Sequence, residues 1–331
     1  MTSFGKLGVG PMSSEVIEAV FRYSEQRGKP LMLIASQNQI DWDKGYVNNW
    51  NTKQYAEFVT QMREKYPKAR VMLCRDHCGP GFKSDDLSDT YKTIDSDLEN
   101  GFEFIHIDFC HYPGSHEEQI KAAKEAILYV KNKAPEAYIE VGTDENLGDF
   151  LEDISRIERE MEFFTQDTKI DFFVCQTGSL TKEINQRGSF NKSFIEQIRP
   201  VADRYGILLK EHNGDYLGAA EIHERQGLID AMNVAPQFGV IQTQLTLSCA
   251  AEHGIDTTAY LKRAYESRKW EKWLDKHTSG DRELCAVIAG HYNFATEEYA
   301  TLMMKLEKVM DFREKVIEEL MNVYDLYVAN L

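Results

Sequence analysis

The side chains of this chain that could do chemistry fall where apolar runs end. Val71-Met72-Leu73 leads into Cys74-Arg75-Asp76-His77-Cys78 and stops at Gly79-Pro80-Gly81. An apolar run closed by such a turn reads as a buried strand that surfaces at its C-terminal end. Neighbouring residues on a strand point to opposite faces, so Asp76 and His77 are expected to part company there. A single Asp-His pair of this kind is more often a turn cap beside a backbone-satisfied imidazole than a site. The pattern recurs, however. Leu31 to Ala35 ends in Ser36-Gln37-Asn38-Gln39, Phe104-Ile105-His106-Ile107 ends in Asp108, and Ala137 to Val141 contains Glu140 and runs into Gly142-Thr143-Asp144-Glu145. Ile170 to Cys175 ends in Gln176, Gly206 to Leu209 in Lys210-Glu211-His212-Asn213-Gly214, and Leu228 to Met232 in Asn233.

If these strand ends converge, His77, His212 and several carboxylates surround one mouth. That donor set suits a divalent ion with open coordination positions, such as Zn, Mn or Co. Such an ion polarises a carbonyl or stabilises an enediolate. Asp76, next to a ligand imidazole, would be the general acid and base. His106 sits inside an apolar run and reads as a structural histidine. His111, His116, His223, His253 and His277 read as loop or surface residues, and His291 in Gly290-His291-Tyr292 fits either role. Lys210 could form a Schiff base, but Glu211 and His212 beside it favour an ion-paired lysine.

The elements that must position these residues alternate. Helical spacing covers Glu15–Gln26, Thr52–Tyr66, Leu87–Asn100, His116–Asn132, Leu151–Thr165, Asn191–Tyr205 and Gly218–Gln226, with a short first strand at Leu7–Gly10. From Gln237 onward the pattern is helical, and Glu297 to Tyr327 reads as one long element. Eight strands, several of them continuously apolar, predict parallel strands buried on both faces. Eight strand-helix units in about 250 residues predict an α/β fold, the (β/α)8 TIM barrel. Residues 1–245 would form the barrel and 246–331 a C-terminal helical extension of the same domain. A doubly wound open sheet is the competing architecture, but neither G-x-G-x-x-G nor a P-loop motif is present, so no nucleotide cofactor is expected.

Composition narrows the function classes. The chain has 331 residues, 42% hydrophobic and 28% charged, and a net charge of −16. That balance argues against disorder and against non-specific binding to nucleic acid or anionic membranes. No apolar run is long enough to span a bilayer. Six cysteines without a C-x-x-C pair predict reduced thiols, and with no visible secretory signal the expected location is the cytoplasm. A large acidic barrel with a helical tail is expected to form a homo-oligomer.

The strand-end pieces resemble a known family. Ala35-Ser36-Gln37-Asn38-Gln39 with Gly45-Tyr46, Asp76-His77-Cys78-Gly79-Pro80, Ile105-His106-Ile107-Asp108, Val141-Gly142-Thr143, Gln176-Thr177-Gly178, Glu211-His212-Asn213-Gly214-Asp215-Tyr216 and Asn233-Val234-Ala235-Pro236 occur in order and at barrel spacing. Together they resemble the class II, metal-dependent fructose- and tagatose-bisphosphate aldolases. The nearest branch is the so-called non-catalytic subunit of class II D-tagatose-1,6-bisphosphate aldolase.

The resemblance implies a catalytic Asp76 and Glu140, and a metal, typically zinc, on His77 and His212. Catalytic aldolases place a third ligand histidine on strand six, where this chain has Gln176, so a metal would need Gln176, Glu140 or water as its third ligand, or would be absent, with Gln176 the first candidate. Gln37, Asp108, Lys210, Asn213, Gly214 and Asn233 are the candidate substrate contacts. The phosphate loops of the aldolases use small hydroxyl residues after strands seven and eight, whereas this chain has Asn213-Gly214-Asp215 and Asn233 to Gln237.

The implied activity is that of a metal-dependent aldolase (a lyase) or epimerase acting on a ketose or ketose phosphate in carbohydrate metabolism, by retro-aldol or enediolate chemistry. The alternatives are a non-catalytic subunit stabilising a separate catalytic aldolase chain, and a sugar-modifying enzyme of a surface-polysaccharide pathway.

Overall fold

In a computed structural model, which describes residues 4–142, 153–274 and 281–331, eight parallel strands close into a barrel. They are β1 (Leu7–Val9), β2 (Leu31–Ser36), β3 (Val71–Cys78), β4 (Phe104–Asp108), β5 (Tyr138–Gly142), β6 (Phe172–Val174), β7 (Leu208–Glu211) and β8 (Ala231–Val234). Each pairs with its neighbour in chain order, and β8 pairs with β1. The expected barrel is therefore the observed one. Thr143-Asp144-Glu145, the first two residues of the helix expected from Leu151, and His277 lie outside the described residues.

Helices wrap the barrel: α1 (Ser14–Arg27), α2 (Thr52–Lys65), α3 (Leu87–Glu99), α4 (His116–Lys133), α5 (Ile154–Thr165), α6 (Lys192–Tyr205), α7 (Ala219–His223) and α8 (Pro236–Glu252). Local chemistry explains where they start. Asn51 with Gln54 and Ser115 with Glu118 form reciprocal capping boxes at α2 and α4, each satisfying two backbone donors that a helix end otherwise leaves open. A small antiparallel hairpin, Thr181–Lys182 with Asn185–Gln186, follows β6. It was not expected, because two-residue strands carry no periodicity.

Beyond α8 come α9 (Thr258–Glu266), α10 (Arg282–Ala289), a 3-10 turn (Gly290–Asn293), α11 (Glu297–Leu306) and α12 (Phe312–Asn330). The single element expected over Glu297–Tyr327 is two helices. Asp311 accepts from the Glu314 amide and starts α12 afresh. No helix among the described residues is long and apolar enough to cross a membrane.

The two faces of each strand serve different cores. Outward residues such as Leu33, Leu73, Ile105 and Val141 join the large core beneath the helices. Inward residues Met32, Ile34, Cys74, Phe104, Phe172 and Ala231 fill the barrel. Phe4 contacts Phe104, Tyr138 and Phe172 edge-on, with ring centroids 4.8–5.6 Å apart. Each buried side chain of this size contributes about 1.5–3 kcal/mol of transfer free energy.

One outer contact has a measurable consequence. Glu18 on α1 accepts hydrogen bonds from Lys65, Tyr66 and Arg313, joining α1 to the end of α2 and to α12. Burial alone would raise the Glu18 carboxyl, but Lys65 and Arg313 hold it down at about 2, against an ordinary 4.5. A depressed folded value contributes stability above the unfolded value and loses it as pH falls toward the folded one. Glu18→Gln is expected to cost about 1–3 kcal/mol at neutral pH. In urea titrations the gap to wild type should narrow as pH drops below 4.5. A gap independent of pH would show that the carboxylate's charge is not the source.

Candidate metal and substrate site

The C-terminal end of β3 departs from a regular strand. Arg75 pairs with Ile105 and Cys78 with Ile107, so three steps along β3 face two along β4. The extra residue is a bulge, a device that re-aims side chains. His77 takes φ 49° there, a left-handed conformation that costs a non-glycine residue about 1 kcal/mol or more. Arg75 turns outward and pairs with Asp97 of α3 at 2.6 Å. Asp76 and His77, expected on opposite faces, both point into the barrel mouth, where their ring and carboxylate atoms come within 3.9 Å.

Inward parity on the neighbouring strands completes the cluster. Phe104, His106 and Asp108 alternate on β4, Glu140 follows Tyr138 on β5, and Lys210 precedes His212 at the end of β7. Asp76, His77, His106 and His212 bring one potential ligand atom each within 4.8 Å of one another. His106, read from the sequence as structural, brings a third imidazole into this cluster, while its Nδ1 accepts from the His77 amide at 3.2 Å. It comes from β4, not from β6. The signal was available, because His106 shares the parity of Asp108. Gln176 lies at the end of β6 and lines an adjoining cavity of about 220 Å3 with His106, Asp108 and His212.

The imidazoles are held from behind. His77 Nδ1 lies 2.7 Å from Asp108 Oδ2, and His212 Nε2 lies 3.1 Å from Glu140 Oε1. A carboxylate on one ring nitrogen takes its N–H and leaves the other nitrogen's lone pair free for a ligand. The two remaining nitrogens, His77 Nε2 and His212 Nδ1, face each other at 3.2 Å. Two imidazole nitrogens on a tetrahedral ion stand about 3.3 Å apart. His106 Nε2 and Asn233 Oδ1 are buried without a hydrogen-bond partner among the described residues. Three imidazoles and a carboxylate at these spacings fit a divalent ion such as zinc.

The charged groups at the mouth act strongly on one another, and an ion bound there would displace a proton from His77. Burial would raise Asp76, but His77, His212 and His106 hold its carboxyl well below the ordinary range. Burial would lower His77, yet Asp76, Asp108 and Glu140 lift it to about 9, while burial keeps His212 below its ordinary value. Asn233 donates to Asp76 Oδ1 at 3.2 Å and lies 3.0 Å from His212 Nε2. Gly8 on β1 makes room for it, since a Cβ there would stand 2.3 Å from Asn233 Oδ1.

The other expected contacts distribute unevenly. Asp76, His77, His212, Asn213 and Asn233 line a mouth cavity of about 270 Å3. Gln37 does not. The turn that follows β2 points it at Thr93 on α3, at 3.0 Å, and brings Asn38 and Gln39 to the cavity instead. Lys210 is fully buried below the mouth and pairs with Glu140, so neither touches the cavity. Gly214 packs against Met232 and also lies off it. The cavity roof comes from a part of the chain the strand pattern could not reveal: Lys272, Trp273, His291 and Tyr292.

Comparison with known proteins gives the family and the fold. The profile of the family "Fructose-bisphosphate aldolase class-II" matches residues 4–266. The chain belongs to the class II fructose-bisphosphate aldolase family. Among solved structures it is similar to a probable tagatose 6 phosphate kinase from Sinorhizobium meliloti (TM-score 0.81, 15% identity, covering 99% of this chain and 100% of that one). It is also similar to fructose-bisphosphate aldolase from Campylobacter jejuni (0.66, 14%, 99% and 91%) and to the fructuronate-tagaturonate epimerase UxaE from Cohnella laeviribosi (0.63, 13%, 98% and 81%). At these identities the likeness establishes the fold that the class II aldolase relative shares with this chain.

Proposed function

We propose that this chain is a metal-dependent sugar aldolase or epimerase that acts on a ketose by removing the proton of the hydroxyl β to the carbonyl, as in retro-aldol cleavage, or of the carbon next to the carbonyl, as in enediolate chemistry. The observation that carries the reading is the cluster of Asp76, His77, His106 and His212, with ligand atoms within 4.8 Å. A bound divalent ion would polarise the ketose carbonyl and stabilise the charge that develops on it.

The chain's own residues do the rest. His77, His106 and His212 would hold the ion. Asp108 and Glu140 fix the rings of His77 and His212, which moves Glu140 and Asp108 from catalysis and substrate contact to positioning. Asp76, ionised and facing the cavity, takes the proton of the β-hydroxyl as its C–O becomes the aldehyde C=O and the Cα–Cβ bond breaks, the bond's electron pair passing to the enediolate; on rejoining it returns that proton to the new hydroxyl. Asn233 keeps Asp76 turned toward that hydroxyl. The buried rings behind the cluster exclude water. A subunit that only stabilised another chain would have no use for oriented imidazoles around an ionised carboxylate.

The test is turnover of a panel of ketoses and ketose phosphates with added Zn, Mn or Co, following aldehyde release and epimer formation. Metal analysis on the same preparation should find one ion per chain, lost in His77→Ala and His212→Ala. A protein that binds no metal and co-purifies with a second aldolase chain would replace this reading with the stabilising-subunit one. The positioning roles have their own signature. Asp108→Asn is expected to weaken metal binding by about 10–100-fold, with turnover returning at saturating metal. Loss of kcat that excess metal does not restore would make Asp108 a direct participant.

A further inference from the structure

In barrels of this kind phosphate groups commonly sit between the loops after strands seven and eight, on the amides of a helix N-terminus. In this chain those amides are already used. Asp215, in the loop after β7 and 2% exposed, places Oδ1 on the Ala235 amide at 3.1 Å and on the Gln237 amide at 2.9 Å. Pro236 between them has no N–H, and the Phe238 amide donates to the Ala235 carbonyl at 3.2 Å. From Ala235 to Phe238, therefore, no backbone amide is left as a free donor.

The loop is braced in the same way. Gln186 donates to the Asn213 and Asp215 carbonyls, at 2.8 and 3.2 Å, and the Tyr216 amide donates to Gln237 Oε1 at 2.7 Å. Gly10 closes the other side, where a Cβ would meet Ala235 Cβ at 2.5 Å. Asp215 thus occupies an anion position with the protein's own carboxylate. Burial pushes that carboxyl up to about 7 against the pull of the two amides, and charged or neutral, the oxygen still covers both donors.

The cavity has a different feature in its roof. His291 is 1% exposed, lines the mouth cavity, and has no hydrogen-bond partner for either ring nitrogen among the described residues. Its ring packs beside Tyr46 and Tyr292, with centroids 6.0 and 4.1 Å away. A neutral imidazole offers one donor and one acceptor, the pair that a sugar hydroxyl matches. Two open polar atoms in a buried ring are costly unless a ligand meets them. The lysine on the lining, Lys272, is exposed and lies over the Trp273 and Tyr292 rings.

We infer that the substrate is an unphosphorylated ketose, its far end read by the neutral His291 ring because Asp215 fills the place where a phosphoryl group would bind. This rests on the ketose reading above and adds the substrate class to it.

The experiment compares kcat/KM for a ketohexose and for its 6-phosphate on the metal-loaded protein. A preference for the unphosphorylated sugar on the order of 100-fold is expected. A preference for the phosphate ester would overturn this inference and leave the metal-dependent reading standing. If the metal-loaded protein turns over neither class, the functional reading falls, and titration of chelated protein with inorganic phosphate decides alone. Wild type and Asp215→Asn, which keeps the acceptor, should give no saturable heat. Asp215→Ser, which frees the Ala235 and Gln237 amides, should give one. Saturable phosphate binding by wild type overturns the proposal even if Asp215→Ser fails to fold. His291→Phe should raise KM for the active sugar about tenfold with kcat retained; an unchanged KM would remove His291 from the reading.

Discussion

Asp76→Asn is expected to lower kcat by about 10²–10⁴ while the protein stays folded and keeps its metal. The substitution is nearly isosteric, and its oxygen can still accept from Asn233, which donates to Asp76 at 3.2 Å. Three imidazoles remain to hold an ion. What is lost is the proton acceptor, because an amide does not take up a proton at working pH. Since His77, His212 and His106 hold the carboxyl well below its ordinary range, wild-type activity should show no Asp76 titration between pH 5 and 8. The contrast with Asp108→Asn is diagnostic: excess metal should restore that variant and leave Asp76→Asn inactive. Steady-state kinetics at saturating metal, together with metal content and melting temperature, check it. An Asp76→Asn protein with wild-type kcat would end the proton-transfer assignment.

How much of this was legible in the sequence depended on which physical rule governed each residue. The barrel was legible because strands buried on both faces are mostly apolar, and Leu31–Ala35 and Val71–Leu73 are apolar throughout. Asp76, His77, His212 and Asn233 were legible as strand ends. His106 was read as structural because an imidazole within an apolar run looks satisfied, and its Nδ1 does accept from the His77 amide, while inward parity with Asp108 also brings it to the mouth cluster. The β3 bulge left no trace, since Cys74 to Cys78 reads as uniform strand and only the pairing with β4 reveals the extra residue. Gln37 was misplaced for a similar reason. A hydrogen bond from the Gln39 amide to the Ser36 carbonyl forms a turn there, and a turn does not preserve strand alternation. Lys272 and His291 reach the mouth through tertiary folding of the chain after α8, which no local pattern encodes.

The largest stability effect is expected at Lys210→Met. Lys210 is fully buried, bonded to Glu140, and flanked by the Phe104 and Phe172 rings at 5.9 and 5.3 Å. Burial opposes its charge, and Glu140 restores it; burial likewise opposes the Glu140 carboxylate, and Lys210 together with His106 and His212 holds it at about 2. Removing one partner of such a pair leaves an uncompensated buried charge and costs about 3–5 kcal/mol. Replacing both by Lys210→Met with Glu140→Gln should recover part of that loss, because the penalty belongs to the unpaired charge. The pH dependence has a definite sign. Paired Glu140 has a folded value below the ordinary 4.5, so its contribution is present above 4.5 and shrinks as pH falls. Without Lys210, burial raises the folded value above the unfolded one, so the remaining carboxyl opposes folding increasingly as pH rises. The deficit of Lys210→Met should therefore be largest at neutral pH and narrow toward pH 4.5. Metal affinity should fall with it, since a protonated Glu140 no longer takes the His212 N–H as strongly. Urea denaturation across that range, with the double variant alongside, measures both effects. A single variant within about 1 kcal/mol of wild type would show that the lysine does not hold the charge that orients His212.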